Sequence, residues 1–163
     1  MLSDRIINLI NYQINKELES AYIYLDFANW FNEKGLKGFA HWYKVQANEE
    51  IEHAEKFMDY MHDEGHAVKL LPIDKMADSL NLVEDFLSAG LQHEMFITKL
   101  IHELYTEAEN QYDVRTMRFL DWFINEQAEE ETNARDLIDK YELFAKDCKA
   151  GLYQMDGELQ GRT

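Results

Sequence analysis

The sequence predicts an all-α protein: a four-helix bundle with a long crossover between helices two and three and a short fifth helix at the C-terminus. Three observations carry this. Glycine (7) and proline (1) are scarce in 163 residues, so long unbroken elements are favoured over a turn-rich sheet. Apolar residues recur in alternating steps of three and four through four stretches, the spacing of a helix seam. The breaks between those stretches run short, long, short, which fixes how the helices can be connected.

The first helix is expected over roughly 4–33, with Ile7, Ile10, Ile14, Glu17, Ala21, Tyr24, Ala28 and Phe31 on its seam. Gly35 and Gly38 interrupt the helical run before a second helix over roughly 37–64, with the seam Leu36, Ala40, Tyr43, Ala47, Glu50, Ala54, Phe57 and Met61. Gly65 and Pro72 then break the chain. The irregular stretch to Asn81 spans about 17 residues, long enough at ~3.3 Å each to run the length of the bundle. Its Val68, Leu70, Leu71, Ile73 and Met76 suggest a strap that packs rather than a free loop. A third helix follows over roughly 82–109 (Val83, Leu87, Gly90, Glu94, Ile97, Ile101, Leu104, Ala108). After a polar break near Asn110–Asp113 comes a fourth over roughly 113–143 (Thr116, Leu120, Phe123, Gln127, Glu130, Ala134, Leu137, Tyr141). A short fifth helix, roughly 147–158, carries Leu152, Tyr153 and Met155, more apolar surface than a free tail needs. The two short breaks make antiparallel hairpins of helices one and two and of helices three and four.

Composition narrows the class. The chain reads as one domain, residues 1–163, rich enough in aromatics (9 Tyr, 9 Phe, 3 Trp) to exclude disorder. Thirty-two acids against 16 Lys and Arg give a net charge of -16, which disfavours nucleic acid and anionic membrane and favours cations. The single cysteine, Cys148, excludes a disulfide framework and a thiolate metal site. No stretch approaches the ~20 apolar residues of a membrane span, and the N-terminal MLSDRIINLINYQ has no signal-peptide core. A cytoplasmic protein is expected.

Polar residues stand on the seams where a core wants none: Glu17, Glu50, Glu94, Gln127 and Glu130. Each sits near the middle of its helix, and the midpoints of an up-and-down bundle share one height. All five side chains should therefore converge. His53 follows Glu50 by one turn on the same face. Converging carboxylates repel one another and resist desolvation, so they need either shared protons or cations. Four Glu charges balance two divalent ions, and one imidazole with several carboxylates and no thiolate fits iron or manganese better than structural zinc. The metal pair accounts for the pattern better than a proton-sharing cluster does.

These residues resemble the dinuclear centre of ferritins: Glu17, the run Glu49-Glu50-Ile51-Glu52-His53-Ala54, Glu94, and Gln127-Ala128-Glu129-Glu130. The likeness covers essentially the whole chain, strap and fifth helix included, and implies a ferritin-like fold. Ferritin-like bundles repeat Glu-x-x-His on two helices; here it stands once, at Glu50/His53, with Gln127-x-x-Glu130 at the second place. Bacterioferritins carry a haem-ligating Met where this chain has Ile51, so no haem is expected. Rubrerythrins need a Cys-rich iron domain that one cysteine cannot build. The sequence is most similar to the bacterial and archaeal non-haem ferritins.

The resemblance implies that Glu17, Glu50 and His53 hold one iron, that Glu50 bridges to a second held by Glu94 and Glu130, and that Gln127 hydrogen-bonds nearby. A third iron site is implied at Glu49, Glu126 and Glu129, with Glu130 shared. Tyr24 matches the family tyrosine beside the centre, where it tunes hydrogen bonding or supplies an electron; an ordinary core tyrosine is an equal reading. Trp122 reads first as packing. The implied activity is a ferroxidase that turns Fe(II) into Fe(III) with dioxygen or peroxide and stores it as a mineral in a homo-oligomeric shell of twenty-four subunits. Glu49, Glu52, Glu55, Asp59, Glu126 and Glu129 include candidates for an acidic lining. His41, His62, His66, His93 and His102 show no comparable clustering and receive no metal role. The alternatives are a di-iron oxidoreductase of peroxide-reductase or oxygenase type without storage, and an interaction bundle with an inert polar layer.

Overall fold

A computed structural model describes residues 1–74 and 80–163 of the chain. It contains α1 (Asp4–Glu33), α2 (Lys37–Asp63), α3 (Val83–Asn110), α4 (Val114–Lys140), a π-helical turn (Tyr141–Ala145) and α5 (Lys149–Leu159). The expected all-α architecture is borne out, with ends shifted by a few residues. Ser3 starts α1 by accepting a hydrogen bond from the Ile6 amide at 3.3 Å. Gly35 ends it at φ 77°, a left-handed conformation that glycine adopts without a Cβ clash. The Asp85 carboxylate accepts from the Leu82 amide at 2.9 Å, so α3 begins one residue later than expected, with Leu82 extended.

The fourth helix differs more. Its α-helical hydrogen bonding stops at Lys140, and the chain continues through one π turn, where the seam spacing predicts α-helix to about 143. Tyr141 is buried at that junction, and its hydroxyl donates to Glu84 of α3 at 2.9 Å. Asp147 then takes φ 55°, which delays the fifth helix to Lys149.

Topology follows from which core each helix end enters. One apolar cluster gathers Ile6, Ile10 and Ile14 of α1, Phe57 and Met61 of α2, Ile97 and Ile101 of α3, and Leu120 and Phe123 of α4. A second gathers Phe27 and Phe31 of α1, Phe39 and Tyr43 of α2, Phe86 and Leu87 of α3, and Leu137 of α4. Helices α1 and α4 run from the first cluster to the second, and α2 and α3 run the opposite way. Because α2 and α3 are parallel, the segment between them must travel the full bundle.

That segment is held differently from the expectation. Val68 touches the first cluster and Leu80 the second, but Leu70, Leu71 and Ile73 are exposed, and Met76 lies outside the described residues. Between those two anchors, polar staples add to the hold. The Asn11 amide donates to the Lys69 carbonyl at 3.0 Å and accepts from its N–H at 2.7 Å. Asn15 accepts from Leu71 N–H at 2.7 Å. The backbone of the strap thus finds partners on α1 that a solvated loop would take from water.

Helix α5 docks at the start of α2. The Asp156 carboxylate accepts from the Gly38 and Phe39 amides at 2.9 and 3.1 Å, filling positions that a helix N-terminus leaves open. A Cβ on Gly38 would lie 1.6 Å from the Asp156 carbonyl oxygen, so glycine is required by that close approach. Met155 is buried and Leu152 packs on the second cluster; of the three apolar residues singled out in this helix, only Tyr153 is exposed.

Candidate metal centre

Between the two apolar clusters lies one polar layer, to which each long helix contributes from its middle. Glu17 from α1, Glu50 and His53 from α2, Glu94 from α3, and Gln127 and Glu130 from α4 are all buried, none more than 4 % exposed. The seam spacing puts the four Glu and Gln127 there, each in place of one apolar step of its helix, and His53 follows Glu50 by one turn on the same face.

Two groups of candidate donor atoms are close, and Glu94 belongs to neither. Glu17, Glu50 and His53 each present one donor atom within 4.8 Å of the other two. His53, Glu126 and Glu130 form a second such group. His53 Nδ1 stands 3.3 Å from Glu50 Oε2, and its Nε2 stands 3.5 Å from Glu126 Oε1. Gln127 donates to Glu94 Oε2 at 3.2 Å and to its backbone carbonyl at 3.3 Å. The hydroxyl of Tyr24, fully buried, donates to Glu94 Oε1. The remaining candidates of the sequence sit at the edge: Glu49 pairs with Arg162 at 2.6 Å, and Glu129 is exposed.

Electrostatics set what this layer can do. Burial, then the Glu50 carboxylate, holds Glu17 well above the usual carboxylate range. Burial, then the charges of Glu94 and Glu130, does the same to Glu50. Burial lifts Glu94 to about 7 against the pull of its bonds from Tyr24 and Gln127, and lifts Glu130 to about 8, with Glu94 adding to the rise. Glu17 Oε1 accepts from Gln13, while its Oε2 is buried with no hydrogen-bond partner among the described residues. Such an orphaned acceptor is costly unless a proton or cation completes it. The donor set of several carboxylates, one imidazole and no thiolate is that of a hard-to-borderline divalent ion such as iron or manganese.

Residues 7–144 match the ferritin-like domain. The chain belongs to the ferritin family. It is 34% identical over 156 residues to the bacterial non-heme ferritin of Campylobacter jejuni, covering 96% of this chain and 93% of that protein. The bacterial non-heme ferritin of Bacteroides fragilis is 33% identical over 162 residues, covering 99% and 100%. Among solved structures, an open-pore ferritin of Archaeoglobus fulgidus superposes with a TM-score of 0.96 at 38% identity, covering 99% of this chain and 98% of that one. The resemblance drawn from the sequence is therefore borne out at the level of family and fold.

In this ferritin chain, three residues that sequence reasoning passed over hold the candidate ligands in place. Gln13 donates to Glu17 Oε1 at 2.7 Å. Gln46 donates to Glu50 Oε1 at 3.1 Å and to Glu130 Oε2 at 2.6 Å. Both precede a seam glutamate by four residues, so the i,i+4 relation was a usable signal. The third, Thr98, stands 3.3 Å from the Gln127 amide. His93 bonds Ser20 at 2.6 Å, and burial lowers its pKa to about 4, so it serves as a neutral packing partner behind Tyr24. Among the described residues no helix is long and apolar enough to cross a membrane.

Proposed function

We propose that this chain is an iron-storage ferritin with ferroxidase activity, which oxidises Fe(II) with dioxygen or peroxide and keeps the Fe(III) as a mineral inside a homo-oligomeric shell, of twenty-four subunits as in the family. The observation that carries the reading is the buried Glu17 Oε2, unpartnered among the described residues, on a glutamate whose group has donor atoms inside 4.8 Å. Glu17, Glu50 and His53 take one Fe(II). Glu50 reaches across to a second, taken by Glu94 and Glu130, with Gln127 and Tyr24 fixing the Glu94 carboxylate. Glu126, with Glu49 and Glu129 at the rim, takes a third ion passing to or from the pair.

The chemistry follows from charge. Carboxylates favour Fe(III) over Fe(II), which makes loss of an electron easier. Two neighbouring Fe(II) ions deliver two electrons together, so dioxygen and two protons leave as hydrogen peroxide, or peroxide and two protons leave as water. Protons come off the ligands when metal enters, because Glu94 and Glu130 hold them near neutral pH.

The test is to add a large excess of Fe(II) in air and separate the product by size-exclusion chromatography with iron detection. Iron eluting with a shell-sized particle, far beyond what the ligands alone can hold, supports storage. Iron confined to the ligand sites on a small oligomer rejects storage and favours a di-iron oxidoreductase.

A further inference from the structure

The last turn of the chain returns to the metal layer. Helix α5, anchored by Asp156, delivers Arg162 onto the side of α2, where its side chain is 17% exposed. The guanidinium carbon lies 4.1 Å from the centre of the Trp42 ring. One guanidinium nitrogen donates to the Trp42 carbonyl at 3.0 Å. The other donates to Gln46 Oε1 at 2.9 Å and to Glu49 Oε2 at 2.6 Å. The Arg162 carbonyl in turn bonds His41 Nε2 at 2.6 Å, which ties the backbone of the tail to α2.

This arrangement decides which way Gln46 points. An arginine can only donate, so the Gln46 oxygen must face it. The amide nitrogen is then left facing inward, where its two hydrogens meet Glu50 on α2 and Glu130 on α4. One amide thus braces two carboxylates from different helices, and Arg162 braces the amide. We propose that Arg162 is a positioning residue of the dinuclear centre: through Gln46 it sets the spacing and orientation of Glu50 and Glu130 before metal enters, and through Glu49 it sets the outer edge of the third site. The inference rests on the reading of Glu50 and Glu130 as metal ligands.

The planar fork matters as much as the charge. Arg162 serves a carbonyl, an amide and a carboxylate at once while lying on Trp42. A lysine keeps the charge but has a single point of donors on a flexible stem, and it cannot hold all three. Arg162→Lys therefore separates positioning from net charge.

The experiment is an anaerobic titration of the assembled protein with Co(II), followed by its visible absorption and by calorimetry, in the wild type, Arg162→Lys, Gln46→Ala and the double variant. Arg162→Lys is expected to weaken the ion bound by Glu50, Glu94 and Glu130 by about tenfold, the low end of what loss of an outer-shell partner costs. Its Co(II) spectrum should change shape with it. Gln46→Ala should do the same, and the double variant should be no weaker than Gln46→Ala alone, because both changes break one chain of contacts. Wild-type affinity and spectrum in Arg162→Lys would overturn the proposal. So would a double variant in which the two losses multiply. A wild type that binds no pair of Co(II) ions would instead bring down the metal-centre reading, and this inference with it.

Discussion

The phenol of Tyr24 on α1 donates its proton to Oε1 of Glu94, 70 residues away on α3. A hydrogen bond to a carboxylate favours its ionised form, and this one opposes the burial that lifts Glu94 to about 7. Removing the donor should raise Glu94 further. Tyr24→Phe is therefore expected to move the pH midpoint of Fe(II) oxidation upward by roughly one unit, the worth of a hydrogen bond to a charged group. A stopped-flow pH profile checks this. An unmoved midpoint with a lower rate at every pH would assign Tyr24 to electron supply instead.

Glu50 lies between the two halves of the centre, close to Glu17, His53 and the Gln46 amide. Glu50→Ala should slow rapid Fe(II) oxidation by at least about 100-fold, more than loss of an outer-shell partner costs. Shell assembly, read by size-exclusion chromatography, should survive, since the two apolar clusters are untouched. Fast oxidation in this variant would remove Glu50 from the ligand set.

The metal-free protein should lose stability as pH rises. Glu94 and Glu130 hold protons up to about 7 and about 8, whereas an unfolded chain gives them up near the ordinary value of 4.5. The folded state therefore binds more protons between those limits, and the slope of stability against pH is negative there. Their contribution is full below about pH 4.5 and gone above about pH 8. Thermal unfolding of the metal-free protein across this range should show a falling Tm, and a rise or a flat line would contradict the assignment. Divalent metal reverses the sign, because it replaces those protons; its affinity should grow with pH, and calorimetry in two buffers should show proton release.

Gly38 and Gly157 make a controlled pair. A Cβ at Gly38 meets the Asp156 backbone, whereas one at Gly157 meets nothing within 4 Å. Gly38→Ala should cost about 1–3 kcal/mol, a fall in Tm of roughly 2–10 °C, with faster proteolysis of the tail beyond the π turn. Gly157→Ala should be neutral or slightly stabilising, as is usual inside a helix. Equal Tm values for the two variants would mean that α5 does not need that contact.

Much of this was legible in the sequence because helix seams are written in the 3–4 spacing, and a Glu in a seam stands out. Glu17, Glu50, Glu94, Gln127 and Glu130 all reached one layer for that reason. Gln13 and Gln46 did not stand out, since a lone Gln beside a seam reads as surface until the partner helix is placed. Arg162 carried no periodic signal: it lies beyond the last helix, and only the docking of Asp156 on α2 brings it to Gln46. The strap is legible only in part: Val68 packs as its apolar character suggests, while Lys69 and Leu71 are held by Asn11 and Asn15 on another element. The π turn at Tyr141 was invisible for a related reason, as the seam itself continues through it.

The polar layer also divides the molecule's cohesion. Ile6, Ile10, Phe57 and Phe123 lie on one side, and Phe31, Phe39, Tyr43 and Phe86 on the other, each side a separate apolar cluster. The seam between them gains little from apolar burial, so without cations it is the natural fracture plane of the bundle. Amide exchange of the metal-free chain would then be slow near Ile10 and Phe31 and faster between them, inverting the pattern of an ordinary long helix, whose centre outlasts its ends. Cation loading would erase that dip and fuse two foldons into one.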